Sequence, residues 1–363
     1  MNNMNFYESF LYSSLRKAFA NRRCAVPATS WKHSCLSMTA GIGVITMIIT
    51  VAWWLAQTLS LADFGIGPLS LALFIGILLG NAHRLPAMLQ PGIHFAQQKL
   101  LRAGIMLFGL HVSIEQLLHV GGQAFAIDLI VITTILIGGT WLGIRVFRLE
   151  HDLAVMIAAG SAICGAAAVV ATEPVVRGSS AHTSMAVATV VIFGSLAMLI
   201  YPLIFHITGA TPESFGIYTG ATVHEVAQVV AIGHGIGDNA AQTAVIVKLL
   251  RVMLLAPVLM LLTLWWRSKE SNTCHGRSGL TIPWFAFGFI VVVIINSSWS
   301  MPPQLHQNLA LLDTLMLSAA MAALGLETRL DRMRQLGLKP LLFAGVLFLF
   351  LMTGGGILTQ WLL

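Results

Sequence analysis

The chain has 363 residues, 57% of them apolar and only 9% charged, against about 45–50% and about 25% in soluble globular domains. Those proportions exclude a soluble domain, disorder, a coiled coil, collagen and a disulfide scaffold. The apolar runs are continuous rather than alternating, which excludes an outer-membrane barrel. The net charge of +6 fits basic cytoplasmic loops rather than nucleic-acid binding. What remains is an all-α polytopic membrane protein.

Residues 1–38 read as a basic cytoplasmic tail carrying Arg16, Lys17, Arg22, Arg23 and Lys32. Residues 39–363 read as the membrane domain. The first apolar stretch has 22 residues; at 1.5 Å per residue it reaches about 33 Å, enough to span a bilayer. It is read as an uncleaved helix. Eleven segments follow the hydropathy, near 39–60, 67–82, 103–119, 121–142, 152–171, 183–208, 216–236, 240–266, 280–297, 308–326 and 340–362. Several are short for a span and are candidates for broken or re-entrant pieces. With the N-terminus inside and the C-terminus outside, 17 of the 20 Lys and Arg fall in the tail or cytoplasmic loops, and Arg177 falls outside. That bias sets the orientation and fits a bacterial inner membrane.

Two internal resemblances appear. Segment 66–125 aligns with 281–341: Pro68 with Pro283, Phe74 with Phe289, Ile75 with Ile290 and Asn81 with Asn296. After a one-residue shift, Pro86 aligns with Pro302, Gly109-Leu110 with Gly325-Leu326 and Gly121 with Gly337. The eleven-span threading gives these copies opposite orientations, an inverted repeat of the kind transporters use. The run from Gly160 to Ala171 also matches that from Gly220 to Ala231, with five of twelve positions identical. In the same threading these two run the same way. Either the match is convergent, or a re-entrant piece makes the span count wrong.

Ionisable groups inside apolar segments are costly and mark function by default. Asp128, His224, Glu225, Lys248, Arg251 and Asp313 form that set. Lys248 and Arg251 are three apart and share a helix face, so something negative must lie near them. A transported oxyanion suits the Arg fork and the Lys point charge. The plainer alternative is an ion pair with Glu225, Asp128 or Asp313. His224, Glu225 and Gln228 read as a protonation site coupled to transport, with hydrogen-bonded packing as the alternative. Gly160, Ser161, Cys164 and Gly165, and likewise Gly220 and Thr222, admit two readings: close packing, or a helix break whose N–H groups meet an anion. His94, His111 and His119 read as solvated or packing residues. The run His224-Glu-Val-Ala-Gln228 misses the second imidazole that a zinc protease needs. Neither a metal-ligand set nor a nucleophile–base pair appears, so the chain is read as neither an enzyme nor cofactor-dependent. The expected partners are a small anion, H+ or Na+ as coupling ion and the lipid bilayer. A homo-oligomer is compatible with the sequence.

The chain resembles the YeiH-type family of bacterial inner-membrane proteins. The resemblance runs from about Thr39 to the C-terminus. It rests on Gly160-Ser-Ala-Ile-Cys-Gly with Ala-Ala-Val-Val-Ala, on Val223-His-Glu-Val-Ala-Gln-Val-Val-Ala, and on Val247-Lys-Leu-Leu-Arg-Val with Pro257. It implies an inner-membrane transporter, labelled a sulfate exporter, and a distant likeness to the superfamily of bile-acid:sodium symporters. There, two broken helices cross at the substrate site; carried over, the crossing segments are Gly160–Ala171 and Gly220–Ala231. The residues add secondary-active transport coupled to protons or sodium. A passive anion channel and an organic-acid transporter are the alternatives.

Overall fold

The computed structural model describes residues 31–58, 67–82, 85–269, 284–299, 301–328 and 337–362. The basic tail before residue 31, Cys24, Cys274, Pro283 and most of the basic loops lie outside the described residues. The described chain is all-helical. In order the helices are α1 (Trp31–Thr58), α2 (Pro68–Ala82), α3 (Ala87–His111), α4 (114–145), α5 (His151–Ala162), α6 (Ala166–Val176) and α7 (Ser180–Thr208). Then come α8 (Pro212–Thr222), α9 (Val226–Ile236), α10 (Asp238–Trp266), α11 (Trp284–Ser298), α12 (Pro303–Glu327) and α13 (Leu338–Leu362).

Six helices among the described residues are long and apolar enough to cross a membrane. One of the six is the later part of α4, Ala124–Arg145; α3 bent against the first part of α4, Ile114–Gly122, makes a seventh candidate, and α2, α6, α9 and α11 are shorter apolar helices. Their outward faces carry bare apolar side chains such as Leu78, Ile207 and Trp361, as contact with lipid requires.

Local chemistry sets the helix ends. Ser113 starts α4 with a capping box closed by Gln116, and Thr211 caps α8 with Pro212 behind it. Both satisfy N–H groups that a helix start leaves free. The segment expected at 103–119 is different: α3 begins at Ala87 and ends at His111, and the chain turns by 101° before continuing as α4.

The segments expected at 152–171 and 216–236 are helical hairpins rather than single continuous helices. α5 and α6 are separated by Ile163–Gly165. Gly178, beyond α6, lies against Met156, and His182 reaches back to Asp152 at the start of α5 with 2.7 Å between Nδ1 and Oδ2. A straight rod would hold residues 156 and 178 about 33 Å apart. α8 and α9 are separated by Val223–Glu225. Gly216 packs on Ala240 and Gly220 on Ala244, so α8 runs parallel to α10. Gly233 packs on Ala241 just after the Gly237 turn, so α9 runs antiparallel to α10. The twelve-residue match aligns the two breaks position for position, 163–165 with 223–225.

The helices gather into two bundles. One holds α1, α2, α3, α11 and α12; the other holds α4 to α10 and α13. Packing is dense within each and sparse between them. α9 forms much of the seam, against α2 and α12. An apolar crevice of about 410 Å³ stays open between α4, α10 and α11.

Within the first bundle, Asn81 on α2 donates to the Thr328 carbonyl just past α12, at 2.8 Å. Asn296 on α11 donates to the Val112 carbonyl just past α3, at 3.3 Å. In the alignment of 66–125 with 281–341, Asn81 pairs with Asn296 and Val112 with Thr328. The two bonds are therefore one contact made twice.

Candidate functional site

The tips of the two hairpins meet against α10. A hairpin tip has two electrical poles: the first arm ends in unsatisfied carbonyls and the second begins with unsatisfied N–H groups. The cations answer the carbonyls. Lys248 Nζ donates to the carbonyls of Ile163 at 2.8 Å and Val223 at 2.6 Å, which are matched positions in the two hairpins. One turn on, Arg251 Nε donates to the Ala162 carbonyl at 2.6 Å and Nη1 to the Ala221 carbonyl. Both side chains are wholly buried. They staple the C-terminal ends of α5 and α8 together.

A carboxylate answers the N–H groups. Glu225 stands at the N-cap of α9, and its Oε1 accepts from the Ala166 N–H at 3.3 Å, the first turn of α6. One acid thus serves the start of both second arms. The matched position in the first hairpin is Gly165, whose φ is 72°. A Cβ there would come within 2.6 Å of Glu225 Cγ, so the glycine supplies both the left-handed turn and the room. Gln228 Oε1 accepts from the Glu225 N–H at 3.3 Å.

Asp128 on α4 completes the charge set. It is fully buried, with Oδ1 4.0 Å from Arg251 Nε. Neither of its oxygens has a hydrogen-bond partner among the described residues. Arg251 Nη2, Gln228 Nε2, His224 Nδ1 and Ser161 Oγ are likewise buried without partners. Buried polar atoms are nearly always paired, so these unpaired donors and acceptors single out the crossing as the candidate site. Counted with neutral imidazole, the centre holds two cations and two acids.

The remaining expected residues divide. Thr222 accepts from the Tyr201 hydroxyl at 2.8 Å and donates to the Tyr218 carbonyl at 2.5 Å, so its hydroxyl is spoken for. Gly160 serves close packing, since a Cβ there would meet Val169 and Val190 at 2.7 and 2.8 Å. Cys164 is a free thiol buried in the first break. Asp313 does not join the crossing and pairs with His111 on the first bundle. The expectation for His111 as a solvated or packing residue changes accordingly. Sequence reasoning also passed over Tyr201, whose ring stacks on Tyr218 5.0 Å away behind the second hairpin, and the group of Glu150, Asp152 and His182 at the mouth of the first.

The profile of the family described as Conserved hypothetical protein 698 matches residues 40–344. A UPF0324 membrane protein of Pseudomonas aeruginosa is 44% identical over 335 residues, covering 90% of this chain and 93% of the relative. The UPF0324 inner membrane protein YeiH of Escherichia coli K12 is 44% identical over 320 residues, covering 87% and 92%. Among solved structures, the sodium proton antiporter MjNhaP1 of Methanocaldococcus jannaschii aligns over 87% of this chain and 99% of its own. Its TM-score is 0.29 and its identity 14%, a likeness that carries no argument.

Proposed function

The chain belongs to the UPF0324 (YeiH) membrane protein family, and on that premise we propose that it is a secondary transporter of a small inorganic anion in the bacterial inner membrane. Sulfate is the first substrate to test. The observation that carries the reading is the crossing itself. Two hairpins meet tip to tip, their carbonyl poles held by Lys248 and Arg251 and their N–H poles held by Glu225.

The threading has nine crossings, with the α5–α6 hairpin entering from the cytoplasm and the α8–α9 hairpin from outside. α7 crosses between them, so the hairpins are inverted copies, which removes the orientation conflict between the two internal resemblances. Arg177, beside the start of α5, then joins Arg145 and Arg148 on the inside, as the positive-inside bias prefers. The N-terminus stays inside and the C-terminus outside. Both internal resemblances become inverted pairs around one centre, the geometry that lets a site open to either side. Sparse packing between the bundles favours a carrier in which one bundle moves against the other over a fixed pore.

The charges suggest the coupling. With Glu225 ionised the centre is balanced, and the N–H groups an anion would use are occupied. A proton on Glu225 frees those groups and leaves one net positive charge, so the site accepts an anion; loss of that proton expels it. A second proton on Asp128 would balance a dianion. Net charge is expensive at this depth, which ties anion loading to proton loading.

The test is counterflow of labelled sulfate in liposomes containing the purified protein, across a range of pH. Glu225→Gln is expected to keep exchange and flatten its pH dependence. A variant that exchanges sulfate with the native pH profile would sink the coupling mechanism. Absence of counterflow in the native protein at every pH would remove sulfate as the substrate.

A further inference from the structure

A second buried ionisable group lies away from the crossing, at the seam between the bundles. Asp313 on α12 is wholly buried, and neither of its oxygens has a hydrogen-bond partner among the described residues. Its neighbour is His111 at the end of α3, with Nε2 3.4 Å from Oδ2. Two more imidazoles stand around this pair. The His306 ring, in the first turn of α12, is 6.3 Å from that of His111, and its Nε2 lies 3.2 Å from the Leu110 carbonyl. His234 comes from α9, across the seam. Its ring meets Phe108 edge-on at 5.7 Å, and the Phe108 ring lies 5.2 Å from that of His111. His234 Nε2 is also buried without a partner. Asp238, beyond the end of α9, is the other charged group facing His234.

An ionised carboxylate cannot stay in such a place uncompensated, since the cost is several kcal/mol. One proton resolves it, either on Asp313 or on His111 to make an ion pair. Without that proton the pair carries a bare negative charge, with a single imidazole N–H to offset it. Relief then requires water or a cation, and the side on which α9 covers the pair is the side where packing is thin. The seam can stay closed with the proton and is driven open without it.

We propose that His111 and Asp313 form a second proton-binding site, separate from the hairpin crossing, whose occupancy holds the second bundle against the first. The proton enters from the face where His306 and the part-exposed His111 lie, and His234 is the group on the moving side that meets the pair. The use of this site in transport rests on the function proposed above. Its existence does not, because the ligand is a proton and needs no substrate.

The experiment uses the full chain in lipid nanodiscs without sulfate, with its native cysteines replaced by serine. Spin labels at Leu305→Cys on α12 and Glu213→Cys on α8 report the spacing between bundles as pH is varied. Infrared difference spectra follow protonated carboxyl groups in the same samples. The native protein is expected to show a pH-dependent change in spacing. Asp313→Asn should abolish that change and remove one carboxyl band, while Glu225→Gln removes a different band and keeps the change. His111→Gln should displace the transition along the pH axis, and it serves as the test if Asp313→Asn fails to fold. An Asp313→Asn curve superposable on the native one, with the same bands, overturns the proposal, as does a His111→Gln transition at the native pH. Failure of sulfate counterflow touches neither outcome, so the two readings fall separately.

Discussion

Lys248 and Arg251 spend their hydrogen bonds on backbone, and that defines what their loss would do. Each bonds a carbonyl from both hairpins. Removing a buried donor strands its acceptors at about 1–3 kcal/mol each. Lys248→Met is therefore expected to lower thermal stability in detergent clearly, by an amount that sulfate does not restore. Unaltered melting would mean the staple contributes nothing to holding the tips. The same residues show what a sequence can and cannot reveal. Their spacing of three announced a shared face and a need for negative charge. The partners turned out to be the carbonyls of Ala162, Ile163, Ala221 and Val223, which present themselves only when two helices stop at one place. Asp128, also visible as a buried acid, lies within ion-pair distance of Arg251. Asp313 carried the same sequence signal and sits elsewhere, because depth in a segment says nothing about which bundle the segment joins.

At the scale of elements, a hairpin of two short arms and a single span have nearly the same length. Segments 151–176 and 212–236 are each about 25 residues long, and hydropathy counts both as crossings. The likeness of the two runs was legible, since the twelve-residue match aligns 163–165 with 223–225, but a break there was one of two readings, close packing being the other; the positive φ of Gly165 then marks a turn that favours glycine. The reversal of direction was not legible, because it depends on packing between distant residues, such as Gly216 on Ala240. Sidedness gives a direct check. Single cysteines at Arg148 and Arg177 are expected to react with an impermeant thiol reagent from the same side of the membrane. Cysteines at Glu213 and Asp238 should both react from the other side. Labelling of positions 148 and 177 from opposite sides would restore a through-going span and remove the paired hairpins.

For the whole molecule, the organising fact is the contrast between tight bundles and a thin seam. Gly76 and Gly325 let α2 and α12 touch backbone to backbone; a Cβ at Gly76 would come within 2.6 Å of the Ala322 carbonyl. Across the seam, a Cβ on Gly67 would lie 3.9 Å from Gly235 Cα, a looser approach than that of Gly76 and Ala322. The two backbones are close enough there for a cysteine pair to test movement at the seam. Oxidised Gly67→Cys/Gly235→Cys protein should lose counterflow and regain it on reduction. Full activity in the crosslinked form would exclude relative movement of α9 and α2 as part of the cycle.

Each hairpin arm holds 11 or 12 residues, about 17 Å of helix, close to half of a hydrocarbon core of about 30 Å. A charge lodged where the tips meet therefore sits at roughly half the electrical depth of the membrane from either face. The membrane potential, worth about 2.3 kcal/mol per charge per 100 mV over the full drop, divides almost evenly between the inner and outer approaches. A carrier built this way senses voltage equally when it loads and when it unloads, and an ion that travels together with its counter-charge senses it hardly at all.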